Sequence, residues 1–110
     1  MEFFEEIIEI QGIKCKRVTK GAYETMLTKQ GYFNISKIYV DLGRIKRGDK
    51  IFLNIYDRHT GDLLLENLKC NVIESSEQHK VNIVKNLIET NEIMTRTYYK
   101  IEIFRIIEDI

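Results

Sequence analysis

The chain lacks proline altogether, and it has few residues of the kinds that divide a chain or anchor it in a membrane. Without proline, no linker or low-complexity stretch interrupts its 110 residues, so we predict a single domain over residues 1–110. No apolar run approaches the ~18 residues that a membrane span requires, and no membrane partner is expected. Three glutamates interrupt the apolar residues of segment 3–10, which argues against a secretory signal.

Cysteine and histidine are scarce, with two residues of each. A sparse cysteine pair without a targeting segment suits a reducing cytosol. We therefore predict a cytoplasmic protein in which Cys15 and Cys70 are buried free thiols rather than a disulfide. His59 lies in a turn sequence, and the separation of Cys70 from His79 matches no compact pair of metal ligands. We expect no catalytic residue, no metal and no cofactor, with an enzyme as the weaker alternative.

The net charge of zero conceals a segregation of charge along the chain. Residues 1–10 carry four glutamates and no base, whereas residues 11–50 carry ten lysines or arginines against three acids, a balance of +7. A basic half of this kind is typical of a surface that binds anions or nucleic acid. The alternative is that these bases are solvated side chains on strand faces, and charge alone does not separate the two interpretations.

Three segments have the spacing of short amphipathic helices. The first groups its apolar side chains on one face and its glutamates on the other. The second and third begin at a threonine or serine that suits an N-cap, and the first two end at a glycine. We predict two to three helices, the first of which packs on the rest of the domain. These segments are residues 1–12, 19–31 and 75–91.

Alternation of apolar and polar residues predicts strands elsewhere, most clearly in residues 44–57. There Gly48 and Asp49 form a turn dipeptide that leads into an alternating strand. A turn at residues 59–62 then predicts a hairpin, and a change of phase near Glu66 and Asn67 predicts a bulge in its second strand. The predicted strands are residues 13–18, 35–42, 51–57, 63–72 and 97–107.

Short connections between these strands favour antiparallel pairing, and so many strands in a short chain hide their edges best by curling into a barrel. The last strand has apolar residues on both faces, which indicates an interior position. The sequence therefore predicts an α+β fold: a small, mostly antiparallel barrel of five to six strands with two to three short helices.

Three segments, in this order, resemble the PUA-like superfamily, and within it most nearly the EVE and ASCH domains. They are Lys29-Gln-Gly-Tyr-Phe-Asn34, Ile45-Lys-Arg-Gly-Asp-Lys-Ile-Phe-Leu53 and Tyr98-Tyr-Lys-Ile-Glu-Ile103. The resemblance runs from about Ile13 to Ile107. It implies a nucleic-acid-binding module that recognises RNA, or DNA or RNA with a modified base, in a pocket beside the first barrel helix.

By this resemblance Tyr32, Phe33 and Asn34 are the ligand-binding candidates, since rings stack on a base for ~1–3 kcal/mol and an amide bonds to its edge. The alternative is that the two rings fill the barrel end. Two other functions stay open: a protein-interaction domain of a larger assembly, or a small ASCH-like hydrolase. The candidates for contact with the nucleic-acid backbone are Lys14, Lys16, Arg17, Lys20, Arg44, Lys46 and Arg47.

Overall fold

Eight strands and one short helix form the part of the chain that the computed structural model describes, residues 6–74, 79–82 and 96–108. All pairings between these strands are antiparallel. The sheet has the order β1-β2-β8-β5-β6-β7-β4, and β3 also pairs with β8. The elements are β1 (Ile7–Ile10), β2 (Ile13–Arg17), β3 (Tyr23–Met26), β4 (Tyr32–Ile35), α1 (Lys37–Asp41), β5 (Lys50–Asp57), β6 (Leu63–Glu74), β7 (His79–Asn82) and β8 (Tyr98–Glu108).

Strand β8 lies at the centre of the sheet, as its two apolar faces predicted. It pairs with β5 along one edge and with β2 and then β3 along the other. Its inward residues Tyr99, Ile101 and Ile103 are buried, and the Tyr99 ring meets Phe33 edge to face with centroids 6.1 Å apart. The main core is therefore assembled on the inner face of β8.

A second, smaller cluster occupies the outer face of the same sheet. Phe52 and Phe104 lie opposite each other on β5 and β8, and the β1–β2 hairpin adds Ile10 and Cys15. Cys15 and Cys70 are buried free thiols, as predicted, and burial raises the pKa of the Cys15 thiol. The N-terminal hairpin thus serves as a cover for one end of the outer face.

The chain turns a corner between β2 and β3, and Thr19 maintains the ladder there. The Val18 N–H donates to the Ile103 carbonyl at 2.9 Å. The Ile103 N–H then donates to the Thr19 hydroxyl oxygen at 3.2 Å, inside the buried interior. A side chain has replaced the backbone acceptor, because the backbone of residues 18–22 leaves the sheet.

The sheet curls but does not close into the predicted barrel. Only an isolated bridge between Leu27 and Phe33 joins β3 to β4 among the described residues. Side chains reinforce this seam, since the Thr25 and Tyr23 hydroxyls donate to the Asn34 carbonyl at 2.9 and 3.3 Å. The mostly antiparallel, β-rich class is confirmed, whereas full closure is wrong, and the described residues contain one short helix.

The two N-terminal helices were wrong where the structure describes them. Ile7–Ile10 is a strand, because Gln11 and Gly12 both take positive φ (52° and 78°) and form a tight hairpin turn. Tyr23–Met26 is also a strand, paired with β8. Residues 1–5 lie outside the described part of the chain.

Two further assignments were wrong. The strand predicted over residues 35–42 is instead the end of β4 followed by helix α1. The helix predicted over 75–91 is a strand at His79–Asn82, and its other residues lie outside the described chain. No described helix has the length and apolar character needed to cross a membrane.

The hairpin β5–β6 and its bulge are confirmed. Glu66 and Asn67 together lie opposite Asn54, so two residues of β6 face one residue of β5. Asn67 takes a positive φ of 55°, and its N–H donates to the Asn54 side-chain oxygen at 2.8 Å. The bulge is therefore held by a side chain of the partner strand.

Replacing Thr19 by valine is expected to lower the free energy of unfolding by about 1–3 kcal/mol, because the buried Ile103 N–H loses its acceptor. The control is Thr19→Ser, which keeps the hydroxyl and loses one methyl group, about 0.8 kcal/mol. Urea unfolding followed by circular dichroism measures both, since the chain contains no tryptophan. Equal stability of Thr19→Val and the wild type would contradict this role.

Candidate nucleic-acid interface

The connections of the curled sheet lie at two ends. Because neighbouring strands are antiparallel, the β2–β3 corner and the β4–α1–β5 connection lie at one end. The β3–β4 and β5–β6 turns lie at the other end. We call the first the corner end and the second the turn end. Four of the predicted basic residues belong to the corner end: Lys20, Arg44, Lys46 and Arg47.

Arg44 joins the two segments of the corner end. Its Nη2 donates to the Arg17 carbonyl oxygen, which places residues 43–49 against the end of β2. The side chain is half-buried and its Nε is buried with no hydrogen-bond partner. Within the described part of the chain no carboxylate pairs with this guanidinium. Arg44 is thus a partly desolvated cation to which residues 6–74, 79–82 and 96–108 supply no counter-ion.

The turn at Lys46–Asp49 presents two bases to solvent. Gly48 takes a φ of 89° at its third position, where a residue with a side chain would be strained, and the Asp49 N–H donates to the Lys46 carbonyl at 3.2 Å. The Asp49 carboxylate accepts the Lys46 N–H at 2.8 Å. Lys46 and Arg47 are both exposed. The turn chemistry read from the sequence therefore places these two side chains at the surface.

Lys14 and Lys16 lie on β2, next to the corner end. Lys14 is exposed and lies opposite Glu9 of β1. Lys16 lies directly opposite Arg105 of β8, and like charges in that position destabilise a sheet. Arg105 was missing from the sequence-based candidates, because only the pairing of β2 with β8 brings it beside Lys16. Lys14 therefore faces an acid, whereas Lys16 and Arg105 place two bases side by side.

Arg17 differs from the other basic candidates, because its charge is already compensated. Its guanidinium contacts the carboxylates of Glu6 and Glu102 at 3.0 and 3.1 Å. Its Cζ also lies 4.9 Å from the centre of the Phe104 ring. These contacts tie the N-terminal hairpin to the outer face of β8. The structure therefore gives Arg17 a role in packing that does not depend on a ligand.

The predicted base pocket is split between the core and the surface. Phe33 is fully buried against Tyr99, which matches the alternative that it fills the core. Tyr32 is half-buried, with Lys80 Nζ 5.8 Å from the centre of its ring. The Asn34 side-chain oxygen is buried without a partner. The residues adjoin the β3–β4 turn, so the structure does not bring Tyr32 to the corner end.

A polar network surrounds Glu102 on the outer face of the sheet. This carboxylate, whose side chain is 14% exposed, accepts hydrogen bonds from the Tyr56 hydroxyl and the Asn54 amide and pairs with Arg17. Burial, together with the hydrogen bond to Glu102, raises the pKa of Tyr56 to about 12. The members of the network satisfy one another's hydrogen bonds, so the network stabilises the sheet.

The described residues place no second catalytic group beside His59 and form no cluster of metal ligands. His59 is exposed in the β5–β6 turn, where its N–H donates to the Asp57 carboxylate at 2.8 Å. The N–H groups of Thr60 and then of His59 lower the pKa of Asp57. No group of three His, Cys, Asp or Glu side chains that could hold a metal ion occurs in the part of the chain that is described.

Comparison of the chain with models of protein families, with curated proteins and with solved structures finds no match. The resemblance to PUA-like domains therefore stays a prediction drawn from the residues. A functional proposal must therefore be based on the geometry of the corner end and of the outer face.

Replacing Tyr56 by phenylalanine is expected to lower stability most at neutral pH and least at high pH. The pKa of Tyr56 rises from 10.0 in the unfolded chain to about 12 in the folded protein. Its stabilising contribution is thus complete below pH 10 and is lost as the pH rises through 12. Urea unfolding of both proteins across this range measures the difference, and a difference that does not change with pH would contradict the assignment.

Proposed function

We propose that the chain is a nucleic-acid-binding module that holds the phosphate backbone at its corner end. The observation that carries the proposal is Arg44, a partly desolvated guanidinium to which the described residues supply no carboxylate. An approaching anion offsets the loss of solvation that a buried cation suffers. Phosphate is an anion that guanidinium groups bind well, because its oxygens match the geometry of their donors.

The basic residues around Arg44 favour a ligand with many phosphates rather than a single small anion. Lys20 is exposed at the β2–β3 corner, and Lys46 and Arg47 are exposed on the adjoining turn. Lys14 lies on the strand that leads into the corner. Several separate cations along one end match the repeated charges of a nucleic-acid backbone. Contacts of this kind position the polymer without reading its sequence, so RNA and DNA are both candidates.

The structure removes the observation that supported the alternative function, a protein-interaction domain. It relied on an apolar helical face that included Ile7 and Ile8, but these residues belong to β1. Ile8 packs against the outer cluster around Phe52, whereas Ile7 is 61% exposed. The two side chains point to opposite faces, so they do not form one contact surface.

Binding to labelled single-stranded RNA, single-stranded DNA and duplexes by fluorescence anisotropy tests the proposal. We expect affinity to fall steeply between about 50 and 200 mM salt, because counterions are released from the phosphates. Lys46→Gln and Arg47→Gln should each reduce the slope of log affinity against log salt, by about 0.7 for a single strand.

The matched control is Lys29→Gln, which removes the same charge from an exposed position on the β3–β4 turn, at the opposite end of the sheet. It should change the slope less than either corner-end variant does. Binding that is absent with all the nucleic acids, or a slope that changes equally in all three variants, would overturn the proposal. Inorganic phosphate in competition shows whether a small anion accounts for the signal.

A further inference from the structure

The outer face of the sheet carries an exposed aromatic residue that the sequence-based candidates did not include. Tyr98 begins β8 and is 42% exposed, and Met26, its cross-strand partner on β3, is 38% exposed. Both side chains point away from the core, because neighbouring residues of a strand face opposite sides of the sheet. Tyr99, which follows Tyr98, and Thr25, which precedes Met26, are buried. Tyr98 is therefore a large ring that the fold leaves open to solvent.

The surroundings of Tyr98 hold its ring in place. Arg58, at the end of the neighbouring strand, places its Cζ 5.1 Å from the ring centre. The Arg58 guanidinium also pairs with Glu24 of β3 at 2.9 Å, so it reaches across β8 from one neighbouring strand to the other. A cation over an aromatic face is an attractive contact, and the ion pair fixes its position. The ring and the guanidinium are therefore held next to each other at the surface.

The charge around this surface is positive. Lys100 is the next outward residue of β8, and Arg96 lies two residues before Tyr98. Glu24 is the acid that the structure pairs with Arg58. The Asp57 carboxylate is a second acid near this surface, because the charge of Arg96 acts on it. Three bases against two acids at an exposed ring favour an anionic ligand that also carries flat, stackable groups. A single-stranded nucleic acid has both properties.

We infer that Tyr98, with Arg58 beside its ring, is a stacking position for an unpaired base of a single-stranded nucleic acid. This inference rests on the proposed function and assigns the base contact to the outer face of β8, in place of the buried Phe33. An unpaired base stacks on the exposed part of the ring or on the guanidinium plane, and Lys100 and Arg96 lie close enough in sequence to contact the flanking phosphates. Every base has a flat face, so we expect little sequence preference.

The test compares a labelled single-stranded oligonucleotide of about 12 nucleotides with an abasic one of equal length, which keeps the phosphates and lacks the bases. Tyr98→Leu and Tyr98→Ala should weaken binding of the base-containing strand about five- to 150-fold and leave binding of the abasic strand unchanged. Tyr98→Phe should retain the wild-type affinity. Leu63→Ala, which shortens another exposed apolar side chain, is the control.

The outcomes separate this inference from the proposed function. Equal weakening on both strands, or no weakening on either, overturns the stacking position while the corner-end phosphate contacts stand on their own salt dependence. Absence of binding by the wild type to both strands overturns both. Light scattering tests whether the wild type self-associates. If it does, and Tyr98→Leu abolishes self-association without changing nucleic-acid binding, the face is a protein interface and the inference fails. Circular dichroism confirms that each variant is folded.

Discussion

The pairing of β8 with three other strands is the constraint on which the rest of the structure depends. Seven residue pairs join it to β5 along one edge, while β2 and β3 follow each other along the opposite edge. One strand thus organises the core on its inner face and a second cluster on its outer face. Because β2 and β3 share an edge, the chain must leave the sheet between them, and this produces the corner that carries Lys20.

The same pairing separates the two surfaces for which we propose a function. The corner end collects bases from connections that meet because their strands are antiparallel, whereas Tyr98 lies where β8 begins. Between them, the outer face of β8 is occupied by the satisfied network around Glu102 and by the ring of Phe104. Any polymer that used both surfaces would have to span several residues of β8, at about 3.3 Å for each residue.

The sequence predicted the long strands and the five-residue strand β2 but failed on strands of four residues, for a physical reason. Strands β5 and β8 are 8 and 11 residues long, so their alternation repeats often enough to exclude a helix. Strands β1, β3 and β4 have four residues each, too few for either period to be distinguished. Their structure is decided by ladders to distant segments, which local patterns do not contain.

The site shows the same division. Exposure of Lys46 and Arg47 followed from turn chemistry, which is local. The burial of Phe33 and the exposure of Tyr98 depend on which face of the curled sheet each side chain meets, and that is set by pairing. Both residues belong to pairs of adjacent aromatics, of which alternation must bury one and expose the other. The sequence identifies such pairs without indicating which member faces solvent.

Arg17 and Arg44 are neighbouring cations whose charges are compensated to different degrees. The two residues are joined by a hydrogen bond from the Arg44 guanidinium to the Arg17 carbonyl. Arg17 has two carboxylates and a ring as partners, so its charge is compensated before any ligand arrives. Arg44 has a backbone carbonyl and a buried Nε without a partner. If Arg44 served packing alone, an apolar side chain of similar length would fill the space without the loss of solvation that a half-buried charge incurs. An uncompensated charge is favourable when an anion is present for part of the time, and for this reason the proposed phosphate contact rests on Arg44 rather than on Arg17.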